Sequence, residues 1–166
     1  MRSSKSHILL TMFSIRTNNT RHLFETSILP QIKTALNGVN VTVLAFGQTC
    51  SGKTFTMQGT KEQPGVIPLT ISAIFQLLKN RAQDLDPSMS VSYLEIYNDS
   101  INDLLNEKNK NLELRTINSH ECAVYGLSQE EVKSEDYIFQ WLEKGTCSRF
   151  NLLCRRRSQE SGRDES

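Results

Sequence analysis

The sequence predicts an α/β layered fold in which a central, mostly parallel sheet is flanked by helices. Two observations carry that expectation. Val39 to Phe46 is dominated by Val, Leu, Ala and Phe, at six of its eight positions, the composition of a strand buried on both faces of a sheet. Around it, segments with apolar residues at helical spacing alternate with short β-rich segments, which suits stacked layers rather than a bundle.

Taken in order, Leu23/Phe24, Ile28/Leu29, Ile32 and Ala35/Leu36 recur at steps of three and four. They describe one helix face, with Thr20 as N-cap, Gly38 as stop, and Pro30 as a kink or split. The apolar run 39–46 follows as a strand. Lys53 to Met57 begins a helix, and Gln58 to Gly65 is a polar turn region with Gly59 and Pro64. Pro68 opens a second helix with Ile71, Ile74, Phe75 and Leu78 on one face, broken over Asp84 to Ser88. Met89 to Ile96 alternates and reads as a strand. Asn98 reads as the cap of a short helix holding Ile101, Leu104 and Leu105. Leu112 to Thr116 and Ala123 to Tyr125 are short strands. Ser134 caps a helix with Ile138, Trp141 and Leu142 on one face, closed by Gly145. No repeat of fixed period is present.

Between the apolar strand and the helix at Lys53 lies Gly47-Gln-Thr-Cys-Ser-Gly-Lys-Thr54, a match to the phosphate-binding P-loop. A triphosphate carries several negative charges that must be held without leaving them unpaired. A tight loop meets that need with backbone N–H groups, and Gly47 and Gly52 supply the conformational freedom and close approach. The helix start adds unsatisfied N–H groups. Lys53 reaches the β- and γ-phosphates and the Thr54 hydroxyl is a ligand for Mg²⁺. Gly47, Gln48, Thr49, Cys50, Ser51, Gly52, Lys53 and Thr54 are therefore the candidate nucleotide site, for Mg-ATP or Mg-GTP, with Cys50 contributing its backbone. Hydrolysis also needs a second acidic residue near the metal and a group that positions water. No residue is assigned to either task. Glu95, Asp99 and Asp103 follow a strand, and each reads as a solvated or capping carboxylate.

The chain has 166 residues, 37% hydrophobic and 22% charged, with a formal net charge of +1. That balance gives no global reason to expect nucleic acid or an anionic membrane as partner. No apolar run is long enough to span a bilayer, and the N-terminus lacks a secretory signal pattern. Cys50, Cys122, Cys147 and Cys154 form no C-x-x-C pair and read as free thiols. His7, His22 and His120 read as surface residues and Trp141 as a core anchor. Phe55 and Met57 are expected to pack under the nucleotide site.

Val41-Thr-Val-Leu-Ala-Phe-Gly-Gln-Thr-Cys-Ser-Gly-Lys-Thr-Phe-Thr-Met57 closely resembles the P-loop strand, loop and helix start of kinesin motor domains. Three further stretches agree in order. They are Gly65-Val-Ile-Pro68, Val91-Ser-Tyr-Leu-Glu-Ile-Tyr-Asn98 with Ile101-Asn-Asp-Leu-Leu105, and Val124-Tyr-Gly-Leu127 with Trp141-Leu-Glu-Lys-Gly145. The resemblance covers residues 20–149. It implies an incomplete P-loop NTPase fold of kinesin type, with ATP and Mg²⁺ as cofactors, microtubules as partner, and a cytoplasmic, cytoskeleton-associated setting. Residues 1–19 form an atypical leading segment, and 150–166, with Arg155-Arg-Arg157, a disordered polar tail.

The departures are specific. The family's switch I pattern, Asn-x-x-Ser-Ser-Arg-Ser-His, does not follow the helix at Ser134; Arg149 leads into the basic tail. The switch II pattern Asp-Leu-Ala-Gly-x-Glu is absent, as are the sequences of the main microtubule-binding face. Arg2-Ser-Ser-Lys-Ser-His7, continuing to Arg16, looks like switch I and its strand but lies upstream of the P-loop. Either it matches a short pattern by chance, or a permuted arrangement lets Ser3, Ser4 or Ser6 reach the nucleotide. ATP binding with microtubule-related movement is the function the resemblance implies, and directed movement by this chain alone is not expected. The alternative is a regulatory or interaction module that does not hydrolyse ATP. No coiled-coil heptads indicate an oligomeric state.

Overall fold

The computed structural model describes residues 20–81, 89–119, 121–132 and 134–146. The chain divides into two compact units, Met1–Asp86 and Pro87–Ser166.

In the first unit a helical path runs from α1 (Thr20–Leu23) through a π-helical turn (Phe24–Ile28) into α2 (Leu29–Ala35). The π turn sits just before Pro30 for a physical reason. Proline has no N–H and its ring collides with the preceding turn, so a strict α ladder fails there. Widening the turn lets the Leu29 N–H donate to the Phe24 carbonyl instead. The expected kink at Pro30 is thus a wide turn that keeps the path helical. Phe24 and Ile32 are buried on one face, and the path packs on α4 (Val66–Arg81). Gly38, at φ +90°, closes it by donating to the Ala35 carbonyl at 2.9 Å.

Between α3 (Lys53–Gln58) and α4 the chain turns through a narrow loop. Thr60 N–H donates to the Gln63 carbonyl at 2.9 Å and Gly65 N–H to the Gln58 carbonyl at 3.1 Å. A Cβ on Gly65 would stand 2.6 Å from the Met57 carbonyl, so only glycine allows that approach. Helix α4 begins two residues before the expected Pro68, which falls in the first turn where its missing N–H costs nothing. Val66 and Ile71 are buried, and Ile74, Phe75 and Leu78 on the expected face are half-buried.

Residues 39–46 depart from expectation. They carry no ladder hydrogen bonds among the described residues, and Val39, Val41, Val43, Leu44 and Phe46 are exposed. A strand is buried on both faces only when neighbours flank it, and the described residues of this unit provide none.

Among the described residues the second unit holds three two-stranded antiparallel ladders. β1 (Ser90–Val91) pairs with β6 (Glu130–Glu131), β2 (Leu94–Tyr97) with β3 (Ser100–Asp103), and β4 (Glu113–Asn118) with β5 (Glu121–Tyr125). The single strand expected over 89–96 is therefore two, because its ends take different partners. The helix expected after Asn98 is a hairpin. Asn98 and Asp99 have φ +48° and +60°, the pair of left-handed residues that a two-residue hairpin turn requires. Ile96 then faces Ile101 across the ladder. The strands expected at Leu112 to Thr116 and Ala123 to Tyr125 form β4 and β5, joined by a cation–π contact of Arg115 with Tyr125 at 4.0 Å. The helix after Ser134, α5 (135–146), forms as expected, with Tyr137 N–H donating to the Ser134 hydroxyl at 3.3 Å. Gly145 does not close it. It lies inside the helix, buried, where any Cβ would run into the Tyr93 ring. All ladders among the described residues are antiparallel, so the expected parallel pairing is not formed among them.

Candidate functional site

The loop from Gly47 to Gly52 is built by two left-handed residues and one lysine. Ser51 N–H donates to the Gln48 carbonyl at 3.2 Å, folding residues 48–51 into a tight turn. Cys50 sits at φ +64° within it, a conformation that costs a non-glycine residue about 1 kcal/mol or more. Gly52, at φ +89° and ψ +11°, is the N-cap of α3. A Cβ there would touch nothing, so glycine is required for its backbone angle and not for space. At Gly47 the reverse holds. A Cβ would stand 2.5 Å from the Ser51 hydroxyl, so glycine keeps the two ends of the turn close.

Lys53, first residue of α3, folds back over this turn. Its Nζ donates to the Gly47 carbonyl at 2.8 Å and the Gln48 carbonyl at 2.6 Å. Two of its three ammonium hydrogens are thereby fixed, and the charge is held at the mouth of the loop. Thr56 N–H donates to the Gly52 carbonyl at 2.8 Å. By contrast, no hydrogen bond to another described residue engages the N–H of Thr49, Cys50, Gly52, Lys53 or Thr54. A fixed cation beside several unspent amide donors is what an anionic oxygen cluster needs. Thr54 is exposed on the first turn. The eight residues expected from the sequence are thus contiguous around one turn. Phe55 is 42% exposed rather than packed beneath it, and Met57 is half-buried.

The three carboxylates following the strand have other environments, all in the second unit. Asp103 is 1% exposed and fully engaged. Its Oδ1 accepts from the Leu105 and Asn106 N–H groups at 2.8 and 3.1 Å, and its Oδ2 from the Ser128 N–H at 2.8 Å. Asn109 Nδ2 also donates to it at 3.3 Å. Burial pushes this carboxyl up, but the hydrogen bonds from Ser128, Leu105 and Asn106 outweigh burial and hold it below the usual carboxylate value. The sequence reading of a solvated or capping residue missed this hub. The one available signal was Asp103 preceding Leu104-Leu105-Asn106, since a short acidic side chain binds backbone N–H groups two and three residues on. Asp99 is exposed in the hairpin turn and Glu95 lies on β2 facing Asn102. Among the described residues no group of three or more His, Cys, Asp or Glu side chains is placed to hold a metal. His22, Cys50 and Cys122 are exposed, and Trp141 is half-buried with Tyr137 edge-on at 6.0 Å. His7, His120, Cys147, Cys154, the Ser3–His7 stretch and the tail 150–166 lie outside the described residues.

The glycine-bounded turn, its lysine and the helix it feeds place the chain among P-loop nucleotide-binding proteins. The kinesin motor domain model matches residues 2–163, and the chain belongs to that family. It is 40% identical over 132 residues to human (Homo sapiens) centromere-associated protein E, covering 78% of this chain and 5% of that protein. It is 39% identical over 143 residues to the Arabidopsis thaliana kinesin-like protein KIN-7D, mitochondrial, covering 82% and 13%. Among solved structures, a fast kinesin studied for its ATPase mechanism and interactions with microtubules superposes with TM-score 0.76 at 35% identity. The match covers 79% of this chain and 38% of that one. The chain thus carries part of a kinesin-type P-loop fold and spans only a small share of its relatives' length. Its family ties it to microtubule motors, which bind ATP with Mg²⁺ and associate with the cytoskeleton. Among the described residues no helix is long and apolar enough to cross a membrane.

Proposed function

We propose that Gly47 to Thr54 hold Mg-ATP and that the chain works as the nucleotide-binding part of a microtubule motor. The observation supporting this reading most directly is the seat of Lys53. Its ammonium is fixed on the Gly47 and Gln48 carbonyls at 2.8 and 2.6 Å, in the same turn as the N–H groups of Thr49, Cys50, Gly52, Lys53 and Thr54, which no described residue engages. Lys53 offers charge to the β- and γ-phosphates, the loop amides take phosphate oxygens, and the Thr54 hydroxyl is a ligand for Mg²⁺. The bound metal supplies neutralisation of charge on the phosphates. Membership of the kinesin family supports microtubule contact and a cytoplasmic, cytoskeletal setting as parts of this reading.

A second reading is ATP binding without turnover in a regulatory or interaction role; among Gly47 to Thr54 no residue is assigned to position water.

Titration with a fluorescent ATP analogue and Mg²⁺ tests the first reading. Saturable binding is expected, weakened tenfold or more by Lys53→Ala, about 1.4 kcal/mol or greater. A folded chain that fails to bind the analogue sinks it. Phosphate release stimulated by microtubules would separate a motor part from a silent binder.

A further inference from the structure

The sequence contains one Asn-Gly pair, Asn37-Gly38, and the fold sets it where α2 ends. Both residues are exposed. The α ladder has already given way there. Asn37 N–H donates to the Thr34 carbonyl at 3.0 Å and Gly38 N–H to the Ala35 carbonyl at 2.9 Å. Each bond spans three residues rather than four, the tighter and poorer geometry of a closing turn. Gly38 stands at φ +90°, and a Cβ built on it would meet nothing within 4 Å.

We propose that Asn37 is a site of spontaneous deamidation, with the Gly38 amide nitrogen as nucleophile and water as co-reactant. That nitrogen loses its proton to solvent base and attacks the Asn37 side-chain carbonyl carbon. The new C–N bond closes a five-membered succinimide. The bond to Nδ2 breaks, and the departing nitrogen takes up a proton and leaves as ammonia. One water then opens the ring at either carbonyl. The product is aspartate, or isoaspartate, in which the backbone runs through the former side chain. In sum, an amide and water become a carboxylate and ammonium, with no change of oxidation state.

The surroundings single out this pair. Gly38 has no side chain to shield its nitrogen, and the space around it is open. Asn40 is followed by the β-branched Val41, and Asn98 and Asn102 by aspartates. Asn102 is buried as well. Asn118 precedes Ser119, but its side-chain amide donates to Glu121 at 3.1 Å. The Ala35 carbonyl is the gate. While it accepts from Gly38, the nitrogen keeps its proton, so reaction waits for the last turn of α2 to open. Helix ends are where such opening costs least.

Conversion places a carboxylate at the C-terminal end of α2, beside carbonyls whose partial charge is also negative. It lowers the formal net charge from +1 to 0, by the single carboxylate gained. The isoaspartyl form also inserts a methylene into the backbone between α2 and residues 39–46, which lead to Gly47.

Full-length chain held in heavy-oxygen water at neutral and mildly alkaline pH, without nucleotide, tests the site by peptide mass spectrometry. Residue 37 should convert about tenfold or more faster than any other described asparagine, a barrier lower by about 1.4 kcal/mol. It should take up heavy oxygen, yield isoaspartate with aspartate, and run faster at the higher pH. The folded rate should fall below the rate in denaturant by the protection of the Gly38 amide in hydrogen exchange. In denaturant, where backbone strain plays no part, Gly38→Ala should slow conversion about tenfold or more. Earlier conversion at another described asparagine, aspartate without isoaspartate, or a rate indifferent to pH each overturn the inference. So do a folded rate out of step with Gly38 protection and a Gly38→Ala chain that converts as fast as the parent. Nucleotide affinity is not read, so failure of the ATP-binding reading leaves this result standing.

Discussion

Lys53 and Asp103 are both charged side chains held by backbone groups, yet they hold their charges for different ends. Asp103 is 1% exposed and its two oxygens accept from the N–H groups of Leu105, Asn106 and Ser128 and from Asn109. Nothing remains with which to bind a ligand. Lys53 donates to two carbonyls, is only half-buried, and stands beside amides that no described residue engages. A charge with every partner internal fixes structure, and a charge left with unspent neighbours is available for chemistry. A motif search sees the second kind; the first leaves in the sequence only a short acidic side chain ahead of the N–H groups it caps.

The largest effect that would break this comparison belongs to Asp103. Asp103→Ala leaves three backbone N–H groups without their acceptor, and each buried orphan costs about 1–3 kcal/mol. Some regain water, so a loss of roughly 3 kcal/mol is expected in denaturant unfolding. Because folding lowers this carboxyl's pKa, its contribution is present above the unfolded value of about 4 and is lost as pH falls below it. Asp103→Asn should therefore flatten the acid limb of the stability curve. A variant as stable as the parent, or with an unchanged acid limb, would remove Asp103 from the structural side of the contrast.

Lys53→Ala comes next and should do the reverse. Nucleotide affinity falls tenfold or more, about 1.4 kcal/mol, while thermal stability in the absence of nucleotide shifts little, since the ammonium is only half-buried. A large loss of stability without nucleotide would make Lys53 a second structural hub.

Legibility in the sequence follows the same divide. The loop at Gly47 to Thr54, the helices around Phe24, Ile71 and Ile138, and the cap at Ser134 were readable because local chemistry sets them. Asn98 was misread since Asn and Asp serve both as helix caps and as left-handed turn residues. The spacing of Ile101, Leu104 and Leu105 then imitated a helix, when in fact Ile101 lies on β3 and the two leucines follow it into the buried core. Residues 39–46 show the limit most clearly. Their composition specifies a buried strand, but burial is a property of neighbours, and the described neighbours do not supply it.

The finer contrast lies within the loop, between two left-handed positions occupied by different residues. Gly52→Ala meets no steric obstacle but forces a Cβ onto φ +89°, and should cost about 1 kcal/mol. Cys50 already tolerates φ +64°, so Cys50→Gly should relieve about 1 kcal/mol of strain. Glycine also raises the entropy of the unfolded chain by a comparable amount, roughly 0.5–1 kcal/mol. The two terms oppose each other, and a net change within about 0.5 kcal/mol is expected in paired thermal melts. Affinity for the ATP analogue should hold too, because residue 50 offers the ligand its backbone. If Cys50→Gly stabilises the chain by well over 1 kcal/mol, the strain at residue 50 is larger than its angle implies. If it destabilises the chain by as much, the thiol makes contacts that its exposure gives no sign of.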